Sequence, residues 1–138
     1  MNLYRRLYEL TTEDELNALA FEMKDRFGEY LDDVENLLRI IRLKLKASDI
    51  GLEKIAVRGK TLVMEFPADK DHRIFESPFF SALIERLSHD KSRKYNIAPE
   101  KERLVVEVAI NGNSDGDRLK DVEKIIAEMA EEQNENSI

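Results

Sequence analysis

Apolar residues recur early in the chain at the spacing of one helical face: Leu16, Leu19, Ala20, Met23 and Phe27 follow Thr12-Glu13-Asp14-Glu15, which has the form of a capping box. In such a box the Thr12 hydroxyl serves the amide three residues on and the Glu15 side chain reaches back. Gly28 stands just past the last apolar position, where a left-handed residue closes a helix. A second helix is expected to begin near Leu31–Asp33, to bury Val34, Leu37, Leu38, Ile41 and Leu45, and to end before Gly51. Its Arg39, Arg42, Lys44 and Lys46 lie toward the C-terminal end, where the macrodipole favours cations. Leu3, Tyr4, Leu7 and Tyr8 already carry a helical pattern, so the chain is expected to be a piece of something larger.

Beyond Gly51 the period changes to that of strands. Lys54–Val57 and Thr61–Phe66 flank Arg58-Gly59-Lys60, the form of a hairpin. Ser77-Pro78 predicts a helix with Ser as N-cap and Pro at its first position, burying Phe80, Leu83, Ile84 and Leu87. A strand around Lys94–Ile97, a Pro99-Glu100-Lys101 turn and the alternation Leu104, Val106, Val108, Ile110 predict a second hairpin. Asp115 or Asp117 is expected to cap a last helix that turns Leu119, Val122, Ile126 and Met129 inward. The fold class is therefore α+β: N-terminal helices, then a small, mainly antiparallel sheet of two hairpins with packing helices. Residues 1–130 are expected to form one domain of a larger protein, with a disordered tail over residues 131–138.

Composition narrows the function classes. With 138 residues, 42% of them hydrophobic, the chain has the size of one domain with a real core. It has no cysteine, which removes disulfides and thiolate chemistry. No apolar stretch approaches the roughly 20 residues of a membrane span, and a cytoplasmic location is expected. The net charge of −7 argues against a nucleic-acid platform covering the whole domain.

Motifs for catalysis are sparse. The glycines at 28, 51, 59, 112 and 116 form neither a P-loop nor a dinucleotide fingerprint, and no G-K-[ST] triplet is present. Asp69, Asp71 and His72 have metal-ligand chemistry, but a solvated polar turn before a helix is the favoured account of them. Asn111-Gly112-Asn113-Ser114-Asp115-Gly116 imitates the start of a calcium loop, yet Val122 stands where the bidentate Glu belongs. Neither catalytic nor metal residues are therefore assigned. Lys91, Arg93 and Lys94 beside Tyr95 form a candidate phosphate-contacting strip with an aromatic platform, the basis of an alternative reading as a nucleic-acid-binding module, although a solvated loop with Glu100 and Glu102 close behind is the favoured account of them.

The first helix carries a more informative face. At about 100° per residue, Asp25 points away from the stripe centred near Leu16 and Phe27, with Ala18 and Glu22 beside it and Phe21 on the same outer half. Glu22 and Asp25 are three apart, so together they suit an arginine from another domain. A plainer reading packs Phe21 on an N-terminal helix and leaves the carboxylates merely solvated.

Leu3-Tyr4-Arg5-Arg6-Leu7, then Glu22 with Asp25-Arg26-Phe27-Gly28, then Val34-Glu35-Asn36-Leu37-Leu38, and Leu43-Lys44 leading to Ile50-Gly51-Leu52-Glu53-Lys54-Ile55 are similar to the C-terminal domain of bacterial transcription-repair coupling factor. The resemblance is most specific over residues 3–66 and looser through the helix after Ser77 and the strands near Tyr95 and Leu104. Leu31 departs from it, standing where that family usually has a proline. The resemblance implies a non-catalytic regulatory piece of an ATP-driven DNA translocase that releases RNA polymerase stalled at lesions and recruits excision repair. ATP and magnesium would belong to the parent protein, outside these residues, with no cofactor in this one. It further implies that the domain packs on the N-terminal UvrB-like module of the same protein and masks the surface for UvrA. RNA polymerase and DNA are then indirect partners, reached through the parent, and no membrane is involved. Carried onto this chain, Glu22 and Asp25 grip basic residues of that module, with Phe21 and Arg26 assisting, while Phe27 and Gly28 shape the helix end.

Overall fold

In a computed structural model, which describes residue 6, residues 9–27 and residues 32–135, the Thr12 hydroxyl accepts the Glu15 N–H at 3.1 Å and helix α1 runs over Glu13–Phe27. The reciprocal half of the expected capping box differs. The Glu15 carboxylate accepts from the Thr11 and Thr12 hydroxyls, at 2.9 and 3.1 Å. Helix α2 spans Asp32–Asp49, within the expected bounds despite Leu31. Gly28 and the side chains of Phe27 and Val34 lie outside the described residues.

The chain divides into two compact units, Met1–Leu45 and Lys46–Ile138, the division falling within α2. In the first unit, Leu16, Leu19 and Met23 of α1 meet Leu38 of α2, with Leu10, Ala20, Leu37, Ile41 and Leu45 packed around them. These are the positions that the helical spacing turns inward. Arg42 donates to Asn17 at 3.0 Å and pairs with Glu13 at 3.6 Å, joining the two helices at their polar margin.

In the second unit α2 ends in a Schellman motif. The Leu52 N–H reaches the Ala47 carbonyl and the Gly51 N–H reaches that of Ser48, both at 3.0 Å, while Gly51 takes φ +93°. A Cβ at Gly51 would also lie 2.5 Å from the Ile74 side chain, so both backbone and packing require glycine there. Strands β1 (Lys54–Arg58), β2 (Thr61–Glu65), β3 (Tyr95–Glu100) and β4 (Arg103–Ala109) form one antiparallel sheet in the order β1-β2-β4-β3.

The register Val57↔Leu62↔Val108↔Tyr95 and Ile55↔Met64↔Val106↔Ile97 collects apolar residues on one face. The other face carries Lys54, Arg58, Glu65, Arg103 and Glu107 around Val63 and Val105. The second hairpin turns later than expected. Its turn is Lys101-Glu102, both at positive φ, and Pro99 pairs with Leu104 inside β3. An edge strand tolerates Pro99 because proline has no amide hydrogen to give the ladder.

A short 3-10 turn, Arg73–Glu76, leads into helix α3 (Pro78–Ser88), where the Ser77 hydroxyl accepts the Phe80 N–H at 3.1 Å and Pro78 stands in the first turn, as expected. Phe79, Leu83 and Leu87 are the buried positions of α3. Phe80 is only half-buried but lies edge-on to Phe66 and Phe75, with centroids 5.2 and 5.1 Å away. Helix α4 covers Asp115–Glu135 and buries Val122, Ile125, Ile126 and Met129, leaving the expected Leu119 half-buried. Its cap is Ser114 rather than either aspartate. The Ser114 hydroxyl accepts the Asp117 N–H at 3.1 Å, and the aspartates sit in the first turn, where the dipole favours them. The helix runs on through the first five positions of the expected tail, with Gln133 donating to the Asp49 carbonyl at 3.0 Å. Residues 136–138 lie outside the described residues.

Candidate interaction surface

Helix α1 turns Leu16, Leu19 and Met23 inward, which leaves Ala18, Phe21 and Asp25 to the outside. Phe21 is 76% exposed, and the N-terminal residues on which the plainer reading packs it lie, apart from Arg6, outside the described residues. An aromatic ring at that exposure gains nothing from the core. Asp25 is exposed, with no ion-pair partner among the described residues. The Arg26 side chain lies outside the described residues.

Glu22 differs from Asp25 in a way the sequence did not foretell. Both of its carboxylate oxygens accept from Arg6, at 3.0 and 2.6 Å, in a fork-to-fork pair. This hydrogen bond, together with the charge of Glu22, raises the Arg6 pKa above the usual arginine value despite an opposing effect of desolvation. Beside the pair lies a concavity of about 440 Å³, floored by Leu10, Ala18 and Leu19 and walled by Arg6, Glu15 and Glu22. Arg6 is the residue that sequence reasoning missed. It is 16 positions from Glu22, beyond the reach of any helical spacing rule.

The Lys91–Tyr95 strip does not assemble as expected. Arg93 donates to both oxygens of Asp121, at 2.8 and 2.6 Å, with the two side chains only 12% and 13% exposed. Tyr95 is buried on the apolar sheet face because strand register points it inward, so no stacking platform exists. Only Lys91 and Lys94 remain outward. Burial, with help from the charge of Asp90, pushes the Tyr95 phenol up to about 12. Because the folded value is raised, the neutral phenol's contribution to stability is complete below the ordinary value near 10 and is lost as pH climbs toward the folded value. An alkaline absorbance titration is expected to show a late tyrosine transition that is absent in Tyr95→Phe. Ionisation of all four near pH 10 would contradict its burial.

The other candidate ligands serve local structure. The His72 Nδ1 accepts the Ile74 N–H at 3.1 Å, capping the 3-10 turn, and the Asp69 carboxylate accepts the Asp71 N–H at 2.9 Å. In the segment 111–116, the Asn111 N–H reaches the Asp121 carboxylate at 2.8 Å. Gly112 adopts φ +139°, where a Cβ would stand 2.8 Å from the Arg118 nitrogen. Among the described residues no three His, Cys, Asp or Glu side chains gather as a metal site, and no helix is long and apolar enough to cross a membrane.

The sheet of two hairpins with its packing helices is the fold of a known class of bacterial repair-factor domain. The crystal structure of the C-terminal domain of transcription-repair coupling factor superposes with a TM-score of 0.70 at 18% identity, covering 98% of this chain and 81% of that one. The TRCF domain model matches residues 1–77, and the chain belongs to this family. The transcription-repair-coupling factor of Escherichia coli K12 is 38% identical over 72 residues, which are 52% of this chain and 6% of that protein. That of Myxococcus xanthus is 25% identical over 127 residues, 92% of this chain and 10% of the relative. The chain thus spans a tenth or less of the length of these two relatives. The resemblance drawn from residues 3–66 is borne out, and the outer face of α1 lies inside the matched region.

Proposed function

We propose that this chain is the non-catalytic, autoinhibitory interaction domain of a transcription-repair coupling factor. Its parent is an ATP-dependent DNA translocase of the cytoplasm that releases RNA polymerase stalled at DNA lesions and recruits nucleotide excision repair. The domain packs on the N-terminal UvrB-like module and masks the surface for UvrA until the parent engages polymerase and DNA. ATP and magnesium serve the motor and act outside these residues. The observation that carries this reading is the exposed Phe21 beside the Asp25 and Glu22 carboxylates, on the helix that the family match includes.

The chemistry suits a contact that must open in use. Exposed carboxylate–guanidinium pairs contribute about 0–1 kcal/mol each, so a few of them with one aromatic anchor hold a mask that a competing partner can displace. In the full-length parent, the double replacement Glu22→Ala with Asp25→Ala is expected to raise UvrA binding about three- to tenfold, as two weak pairs are lost. Pull-down or interferometry with purified UvrA measures this, and unchanged binding would remove these carboxylates from the masking contact.

A further inference from the structure

The two carboxylates of this face are in different states. Asp25 stands exposed and unpaired among the described residues, whereas both Glu22 oxygens are already gripped by the Arg6 guanidinium. A planar guanidinium in fork geometry is the group an incoming arginine would present to the same carboxylate. We infer that Arg6 is an internal competitor for Glu22, so that a basic partner docking on this face must exchange its own guanidinium for that of Arg6.

The inference rests on the reading of this face as a docking surface and adds how that surface is regulated. The Arg6 and Glu22 side chains are 30% and 39% exposed, so water reaches the pair and exchange requires no opening of the core. Asp25 lies one turn further along α1, three residues from Glu22, and meets a partner without displacing any ion pair among the described residues. Docking then proceeds from Asp25 to Glu22, with Arg6 released at the second step. Arg6 becomes a latch whose strength sets the affinity of the face. Lysine at position 6 would keep the charge and lose the fork, placing Arg6→Lys between wild type and Arg6→Gln.

The test uses the 138-residue chain and two probes. The first is a short arginine-rich peptide, which needs no assumption about the natural partner; the second is the purified UvrB-like module. Arg6→Gln is expected to bind the peptide about two- to fivefold more tightly than wild type, the scale of one exposed ion pair. That gain is expected to vanish when Glu22→Gln is added. Equal or weaker peptide binding by Arg6→Gln, with an unchanged melting curve, overturns the inference. With the module, Asp25→Asn is expected to weaken binding and Arg6→Gln to strengthen it. If Asp25→Asn leaves module binding unchanged while the peptide result holds, the masking reading fails and the exchange at Glu22 stands. If Asp25→Asn weakens module binding but Arg6→Gln matches wild type with both probes, the exchange fails and the masking reading stands.

Discussion

Replacing Asp121 by Ala is expected to destabilise the chain by about 3–5 kcal/mol, because it strands a guanidinium that the fold has largely withdrawn from water. The Asp121 carboxylate accepts twice from Arg93 and once from the Asn111 N–H, and both members of the ion pair are nearly buried. Three donors therefore lose their acceptor in one substitution. Urea unfolding measures the loss, and a change below about 1 kcal/mol would mean that water screens the pair as it does on open surfaces.

The same pair confers an acid dependence. The Arg93 hydrogen bonds chiefly, and the Asn111 N–H as well, hold the Asp121 pKa below its ordinary value, against a smaller opposing effect of burial. A depressed folded value means that this stabilisation is complete above the unfolded carboxylate value of about 3.9. It is lost as pH falls from there through the lower folded value. Asp121→Asn should unfold more readily at neutral pH, with that part of the acid dependence removed.

Phe66→Ala is expected to cost about 3–5 kcal/mol through the cavity it leaves. Phe66 is fully buried just after β2, and its ring centroid lies 6.5 Å from that of Phe75 in the 3-10 turn and 5.2 Å from that of Phe80 in α3. Removing it deprives both neighbours of their common aromatic contact, which adds to the lost burial. Phe66→Leu retains much of the volume without the ring and should cost clearly less. Near-ultraviolet circular dichroism followed through urea unfolding would compare the two. Equal losses would show that ring geometry, rather than apolar volume, decides the cost here.

Neither Phe66 nor Asp121 carried a role in the sequence reading beyond its element. Phe66 closed a strand, and Asp121 lay within the last helix among its polar positions. The elements themselves were legible, because their signals are local. Thr12 and Ser77 accept helix amides within three residues, and Gly59-Lys60 turns a hairpin between strands that alternate every second residue. Errors arose where two local signals competed. Pro99 suggested a turn, yet an edge strand had room for it. Asp115 and Asp117 are good caps, yet Ser114 precedes both with an oxygen at the right step.

The candidate face was half legible. Helical spacing placed Phe21, Glu22 and Asp25 outside because period alone decides which side of α1 faces the core, and family resemblance supplied a reason to look at them. Spacing said nothing of who meets Glu22, since Arg6 is 16 residues away and the choice among many cations depends on how the segment before α1 returns to it. Tyr95 and Arg93 show the same limit. Two residues that read as a basic, aromatic strip are turned inward by strand register and by an aspartate 28 positions on. Local sequence thus determined the helices, strands, caps and the outward face of α1, through interactions spanning a few residues. Tertiary structure alone decided which charges are already spent within the chain, because ion pairs between distant residues form only where packing brings them together.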